Sequence, residues 1–500
     1  MSDKPFAGRR LHFIAIGGAG MSGLALVAHA LGAEVTGSDQ AESTYLPKLR
    51  EAGLEPVIGH SAGGAPAGAE VVRATAVADS NPELAAAREA GARILHRADL
   101  LAEVVALRRS IAVSGSHGKT TTAAMIAHAL VESGRDPAYL IGGKLRASGA
   151  NAAWAEDGWI VVEADESDRS FLKLAPEVAV VTNAELDHHA TYRSTAALER
   201  AMSDFAASAP TRILWGGLRL PGASATGRTL RFGLAAGDLV AGDMDLAAED
   251  VELHPRGSRF RAGDVAVELG VPGRHNVLNA LAALAACREA GLPLAEAAAA
   301  LLSFSGTGRR FEDRGRTASG ALIVDDYAHH PTELRATLEA ARPLAAGRLV
   351  ACFQPHLYSR TRHLAREFGA ALALADVVVV LDVYPAREQA EDYPGVSGML
   401  VAQAAADAAR GRPVYWAPTL EEASTLLEDE LRTDDVLVTL GAGDVDRVAA
   451  ALAEDAETQA PAAAVAAAAD RVDLDRGGVQ GGRPEPAPAG APGGGPGSLA

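Results

Sequence analysis

An apolar run, Ser110 to Val113, leads into Gly115-Ser116-His117-Gly118-Lys119-Thr120-Thr121-Thr122 and then an alanine-rich stretch. These residue types in this order make a phosphate cradle. Glycines let backbone N–H groups close around phosphate oxygens at a helix start; Lys119 adds a compact positive charge and Thr120 a hydroxyl for Mg²⁺. The loop departs from GxxxxGK[ST] because residue 113 is Val, so the strand before it and the helix after it carry the reading. A second cluster, Gly17 to Gly23, also follows an apolar run. Gly18, Gly20 and Gly23 fit GxGxxG, and Asp39 falls about 20 residues on, as in a dinucleotide fingerprint. The physics specifies only a diphosphate on a helix start. NAD and a nucleotide-diphosphate sugar satisfy it equally.

Further polar sets end other apolar runs. Glu163-Ala-Asp165-Glu166-Ser-Asp168 offers carboxylates; Glu163, at a strand end, is the first candidate to share Mg²⁺ with Thr120. Thr182-Asn183-Ala-Glu185-Leu-Asp187-His188-His189 ends another run, and His188 shares an edge with Lys119 and Glu163, which makes it a second metal candidate. His275 and Asn279, four apart, occupy one helical face and suit a planar base. The last third adds Asp325-Asp326-Tyr327-Ala-His329-His330-Pro331-Thr-Glu333 and Gln354-Pro-His356. A third ligand-facing edge is the economical explanation.

The elements that must position these groups alternate: short apolar runs, then amphipathic alanine- and leucine-rich stretches. That is the signature of βα units and parallel sheets, whose ligands bind beyond the carboxyl ends of the strands. Strands are expected at His12 to Ile16, Glu34 to Thr36, Ser110 to Val113, Trp159 to Glu163, Val178 to Thr182, Leu322 to Asp325, Leu349 to Phe353, Val377 to Leu381 and Val436 to Leu440. Alternating segments between Arg212 and Gly270, among them Arg228 to Gly233 and Gly257 to Arg261, read as small antiparallel strands inserted in the middle domain. With 500 residues the chain has room for about three domains, and joints fall near Leu107 to Arg109 and Ser305 to Arg316. The expected division is 1–107, 108–313 and 314–454, followed by a disordered Ala/Pro/Gly-rich tail, 455–500.

A formal charge of −18 argues against nucleic acid as a partner. No apolar run is long enough for a membrane span, and the N-terminal run, interrupted by His12 and ended by glycines, reads as a strand rather than a signal peptide. Two cysteines, Cys287 and Cys352, exclude a disulfide framework and suit the cytoplasm; both read as buried packing thiols.

Taken together, IGGAGMSG, GSHGKTTT, EADESD, TNAELDHH, GRHNVLNA, GTGRRFE, DDYAHHPTE and FQPHLYSRT resemble the Mur ligase family in order and spacing from residue 11 to about 450. The resemblance implies an α/β fold of three domains: N-terminal Rossmann-like, central P-loop ATPase-like and C-terminal Rossmann-like. It implies ATP-dependent ligation of L-alanine to UDP-N-acetylmuramate through an acyl phosphate, by a monomer or weak homodimer. It also resolves the first glycine loop toward a UDP-sugar.

By the same resemblance, Gly115, Ser116, His117, Gly118, Lys119, Thr120 and Thr121 hold ATP. His275 and Asn279 lie on its adenine side, with Arg310 and Asp325 as further contacts. Thr120, Glu163 and His188 hold Mg²⁺. Gly18, Gly20, Ser22, Asp39 and His117 serve the UDP-sugar, and His329 and His330 the amino acid. Lys119, His188, His330 and Arg310 are the expected catalytic groups. Ser116, Ala123, Ala328 and His189-Ala190 depart from the family pattern, which puts affinity and rate in question more than reaction type. Three alternatives stand beside this reading: a relative that adds a preformed tripeptide to the same sugar, an NAD-linked oxidoreductase, and a non-catalytic P-loop regulator.

Overall fold

The computed structural model describes residues 4–155, 158–220, 227–235 and 244–459, with side chains to 453. Three sheets follow one another along the chain. In the first, five parallel strands run Val57–Ile58, Glu34–Asp39, Arg10–Ile14, Glu70–Arg73, Ile94–His96. Strand order reverses beside Arg10–Ile14, and such a switch point opens a crevice at the strand ends. The glycine loop lies there, running into the helix Ala19–Ala30.

The second sheet has ten strands. Its middle is parallel: Thr211–Trp215, Val178–Val181, Arg109–Ser114, Trp159–Glu163 and Ala138–Leu140. The helices Lys119–Glu132 and Arg274–Glu289 share its core through small side chains, among them Ala123, Ala127, Ala280 and Ala283. The inserted segment differs from expectation. Arg228–Leu234 pairs in parallel with both Thr211–Trp215 and Leu246–His254, so it continues the main sheet. Only Gly257–Ala262 and Val265–Leu269 add antiparallel pairs at that edge.

The third sheet orders Glu312–Arg316, Leu322–Asp326, Val436–Leu440, Leu349–Phe353, Val377–Val380 and Val414–Trp416, with only the first pair antiparallel. The helix Asp446–Gln459 runs past the expected start of the tail at 455; residues from 460 lie outside the described residues. Among the described residues no helix is long and apolar enough to cross a membrane.

The cores are divided unequally. One apolar cluster runs unbroken from the first sheet to the second, joining Phe13 and Leu24 to Leu140, Ile160 and Phe171. Gly23 makes that approach possible, since a Cβ there would lie 3.1 Å from both Ala152 Cβ and Leu140 Cδ2. The third sheet builds its own clusters, one on each face. Cys287 and Cys352 are buried packing thiols, pushed up to about 12 by burial.

Candidate active site

The loop after Arg109–Ser114 closes as its glycines predict. Gly115 (φ +135°) has no room for a side chain, because a Cβ would lie 2.1 Å from Thr182 Oγ1. Gly118 (φ +81°) is equally constrained, with Asn279 Oδ1 only 2.4 Å from the same construction. Lys119 starts the helix, and its Nζ donates to Gly115 O (2.7 Å), Ser116 O (3.2 Å) and Glu166 Oε1 (3.1 Å). Burial would lower the pKa of Lys119, but Glu166, Asp165 and Glu163 outweigh it and raise it. The charge is therefore permanent. Thr120 Oγ1 donates to Glu163 Oε2 at 2.8 Å, and Gly142 N donates to the same oxygen at 2.8 Å.

Two cavities flank this loop. The larger, about 450 Å³, lies between the second and third sheets. Trp215, Phe232, Val271 and Phe304 supply apolar wall, while His275, Asn279, Thr121, Arg310 and Asp326 supply polar groups. An apolar slot with a few fixed polar groups suits a planar base beside a phosphate loop. Burial lowers His275 to about 4, so it meets a ligand as a neutral imidazole. The smaller cavity, about 300 Å³, joins Gly18 and Gly20 at the start of helix Ala19–Ala30 to Glu163 and Asp165. Glu163 therefore lines the second cavity while bonded to the loop that borders the first.

Charge ties the second sheet to the third. His117 Nε2 lies 3.1 Å from Glu185 and Nδ1 3.1 Å from Glu333. Burial opposes the charged form of His117, but the two carboxylates prevail and raise it to about 9. Thr332 Oγ1 donates to Glu185 Oε1 at 2.6 Å. Arg360 forks onto Asp187 at 3.0 and 2.9 Å, both side chains almost wholly buried. Near that pair, His329 and His356 meet edge to face, and burial lowers them to about 4 and about 2.

Family models match three consecutive stretches: "Mur ligase family, catalytic domain" over residues 10–109, "Mur ligase middle domain" over 113–287, and "Mur ligase, glutamate ligase domain" over 309–443. The chain belongs to the Mur ligase family. A UDP-N-acetylmuramate--L-alanine ligase of Rubrobacter xylanophilus is 44% identical over 449 residues, covering 88% of this chain and 98% of that protein. The counterpart from Kineococcus radiotolerans is 46% identical over 453 residues, covering 88% and 94%. Among solved structures, the UDP-N-acetylmuramate-alanine ligase MurC of Thermotoga maritima aligns with a TM-score of 0.77 at 28% identity, covering 90% of this chain and 99% of that one. A murein peptide ligase from Psychrobacter arcticus shares the fold, with a TM-score of 0.66 at 24% identity and coverage of 91% and 100%.

In this Mur ligase the expected residues divide. Gly115, Gly118, Lys119, Thr120 and Glu163 converge, and Thr121, His275, Asn279 and Arg310 face the larger cavity. His188 Nε2 lies 3.5 Å from Glu166 Oε1 and 3.6 Å from Asp187 Oδ2. Its buried Nδ1 has no hydrogen-bond partner among the described residues.

Five of the expected site residues are engaged in contacts within the protein. Ser22 is 1% exposed and accepts from Asn151 Nδ2 at 3.2 Å, a contact between the first and second sheets outside the lining of the smaller cavity. Asp39 Oδ2 accepts from Gly17 N at 2.7 Å and Oδ1 from Gln40 N at 2.7 Å, which ties the glycine loop to the second strand. His117 lies in the larger cavity, away from the sugar side. Asp325 is wholly buried against Arg309 and Thr439, and its neighbour Asp326, raised to about 6 by burial, faces the cavity. His330 caps the helix Pro331–Ala341, its Nδ1 accepting from Thr332 N at 3.4 Å, while its buried Nε2 has no hydrogen-bond partner among the described residues.

Glu185, Asp187, Glu333 and Asp326 stand within the motifs, and their pairing with His117, Arg360 and the larger cavity emerges only in the fold. Their density at strand ends was the available signal. Trp215, Phe232 and Phe304 gave none, since an aromatic in an apolar run reads as ordinary core.

Proposed function

We propose that this Mur ligase joins L-alanine to the lactyl carboxylate of UDP-N-acetylmuramate at the expense of ATP. One observation carries the reading. Two helix starts open on separate cavities, and Glu163 links them, lining the smaller cavity while accepting from Thr120 beside the phosphate loop that borders the larger. A carboxylate bound in one cavity is thereby brought to the terminal phosphoryl group of a nucleotide bound in the other. The names of the similar proteins supply the substrates.

The chemistry is phosphoryl transfer followed by acyl substitution. A lactyl carboxylate oxygen attacks the γ-phosphorus and ADP leaves; the L-alanine amine then attacks the acyl carbon, loses a proton, and phosphate departs. Catalysis rests on positioning and charge neutralisation. Lys119 serves the β/γ-phosphates, His275 and Asn279 the adenine side, Arg310 and Asp326 the seam where the third domain meets the nucleotide, and His329 the amino-acid side. The Thr120 hydroxyl and Glu163 carboxylate present hard oxygens suited to Mg²⁺, with His188 at a second position. Magnesium held there would neutralise charge on the phosphates. Asp39, committed to Gly17 N, is a poor ribose ligand, which disfavours the NAD-linked alternative. The corresponding domains are 1–107, 108–313 and 314–454, in a cytoplasmic monomer or weak homodimer.

The deciding assay supplies ATP and UDP-N-acetylmuramate with either L-alanine or the tripeptide, and follows ADP. Turnover with L-alanine, and transfer of ¹⁸O from labelled carboxylate into phosphate, is the expected result. A strict tripeptide requirement overturns the amino-acid assignment.

A further inference from the structure

The smaller cavity poses an electrostatic problem. A UDP-sugar with a lactyl carboxylate arrives as a multiple anion, yet Glu163 and Asp165 line the wall opposite the glycine loop. Among the described residues lining this cavity, Arg97 is the sole cation. It begins the helix Arg97–Val105. Its guanidinium spans the opening: Nη1 lies 3.2 Å from where a Cβ on Gly20 would stand, in the first turn of helix Ala19–Ala30, and Nη2 donates to Asp165 Oδ2 at 2.8 Å. The side chain stays 21% exposed, within reach of a ligand.

We propose that Arg97 grips the diphosphate of the UDP-sugar and gives up Asp165 to do so. Helix Ala19–Ala30 has no side-chain cap and no acidic residue in its first turn, so its start carries only partial positive charge. A planar guanidinium beside it adds a full charge and a fork matched to phosphate oxygens. The exchange leaves Asp165 with a partner, because its Oδ1 still accepts from Ser167 N at 3.0 Å. Arg97 is thus a substrate-positioning residue that connects the glycine loop to the acidic loop. This inference rests on the UDP-sugar reading above.

Calorimetric titration with UDP alone, beside UDP-N-acetylmuramate, tests it. Arg97→Gln should weaken both ligands by the same factor, at least about tenfold, which is about 1.4 kcal/mol. In steady-state assays KM for UDP-N-acetylmuramate should rise by that factor while those for ATP and L-alanine stay within about twofold, and Arg97→Lys should restore part of the loss. Asp165→Asn should bind UDP as tightly as the wild type or more tightly. Unchanged UDP affinity in Arg97→Gln overturns the proposal, including the case where only UDP-N-acetylmuramate weakens, which would move the contact to the lactyl carboxylate. Equal losses for ATP would reduce Arg97 to a structural role, and a tenfold loss in Asp165→Asn would refute the exchange. Wild-type protein that binds no UDP would remove the functional reading itself, and this inference with it.

Discussion

The two seams of the molecule are built from opposite materials. Between the first and second sheets the apolar core continues without a break, closed over Gly23 and pinned by Asn151 Nδ2, which donates to Ala19 O at 2.6 Å. Between the second and third, each sheet keeps its own core, and charged or polar pairs span the gap: His117 with Glu333, Thr332 with Glu185, Arg360 with Asp187. Apolar burial is non-directional and has no ready substitute. Ion pairs can be exchanged for ligand contacts. The contacts of the third sheet with the second are therefore the ones a ligand can exchange, and those between the first and second are not.

Lys119→Ala should have the largest effect, because that buried cation closes the phosphate loop. Ligation should fall by about 10³-fold or more, while UDP-sugar binding, at the other helix start, stays within about threefold by titration. Turnover near wild type would refute its role. Next comes Arg360→Ala, which leaves Asp187 buried without its fork; the cost is about 3–5 kcal/mol, read as an earlier first transition in urea unfolding. Loss of an apolar fit should cost less. Gly23→Val forces branched carbons into a 3.1 Å approach and should cost about 1–3 kcal/mol, with no dependence on pH. A change at the apolar seam as large as that at Arg360 would reverse the comparison.

Titration sharpens the contrast further. The pKa of His117 is raised from an ordinary value near 6.5 to about 9 in the folded chain. Its contribution to closure is therefore fully present below about 6.5 and lost as pH rises through about 9. KM for ATP should climb on that alkaline limb, and His117→Gln should flatten the climb. A climb that persists in the variant would exclude His117 as its source. The smallest effect is expected at the thiols: Cys287 and Cys352 belong to neither seam, and alkylating reagents should leave activity unchanged in the folded protein.

Runs such as Leu349–Phe353 and Val436–Leu440 could be read directly, because buried parallel strands are continuously apolar. The phosphate loop was equally legible, since its glycine positions are dictated by local backbone geometry. What failed depended on partners distant in sequence. Arg228–Leu234 has the alternation of an antiparallel strand, and only its neighbours reveal that it runs parallel. Asp325 and Asp326 are consecutive on one strand, so their side chains point to opposite faces, and nothing in DDY says which faces the cavity. Ser22 looked like a ligand residue until Asn151, 129 positions away, claimed it.

The contact of Gly118 with Asn279 has a consequence of its own. Asn279 touches the phosphate loop at Gly118 and accepts from Thr122 Oγ1 at 3.3 Å, while Asn276 anchors it through a 3.2 Å bond and is tied in turn to Pro272 O at 2.7 Å. The slot for the base and the cradle for the phosphates thus cannot slide independently. Their spacing is set by two interlocked helices, Lys119–Glu132 and Arg274–Glu289, so displacing one end displaces the other.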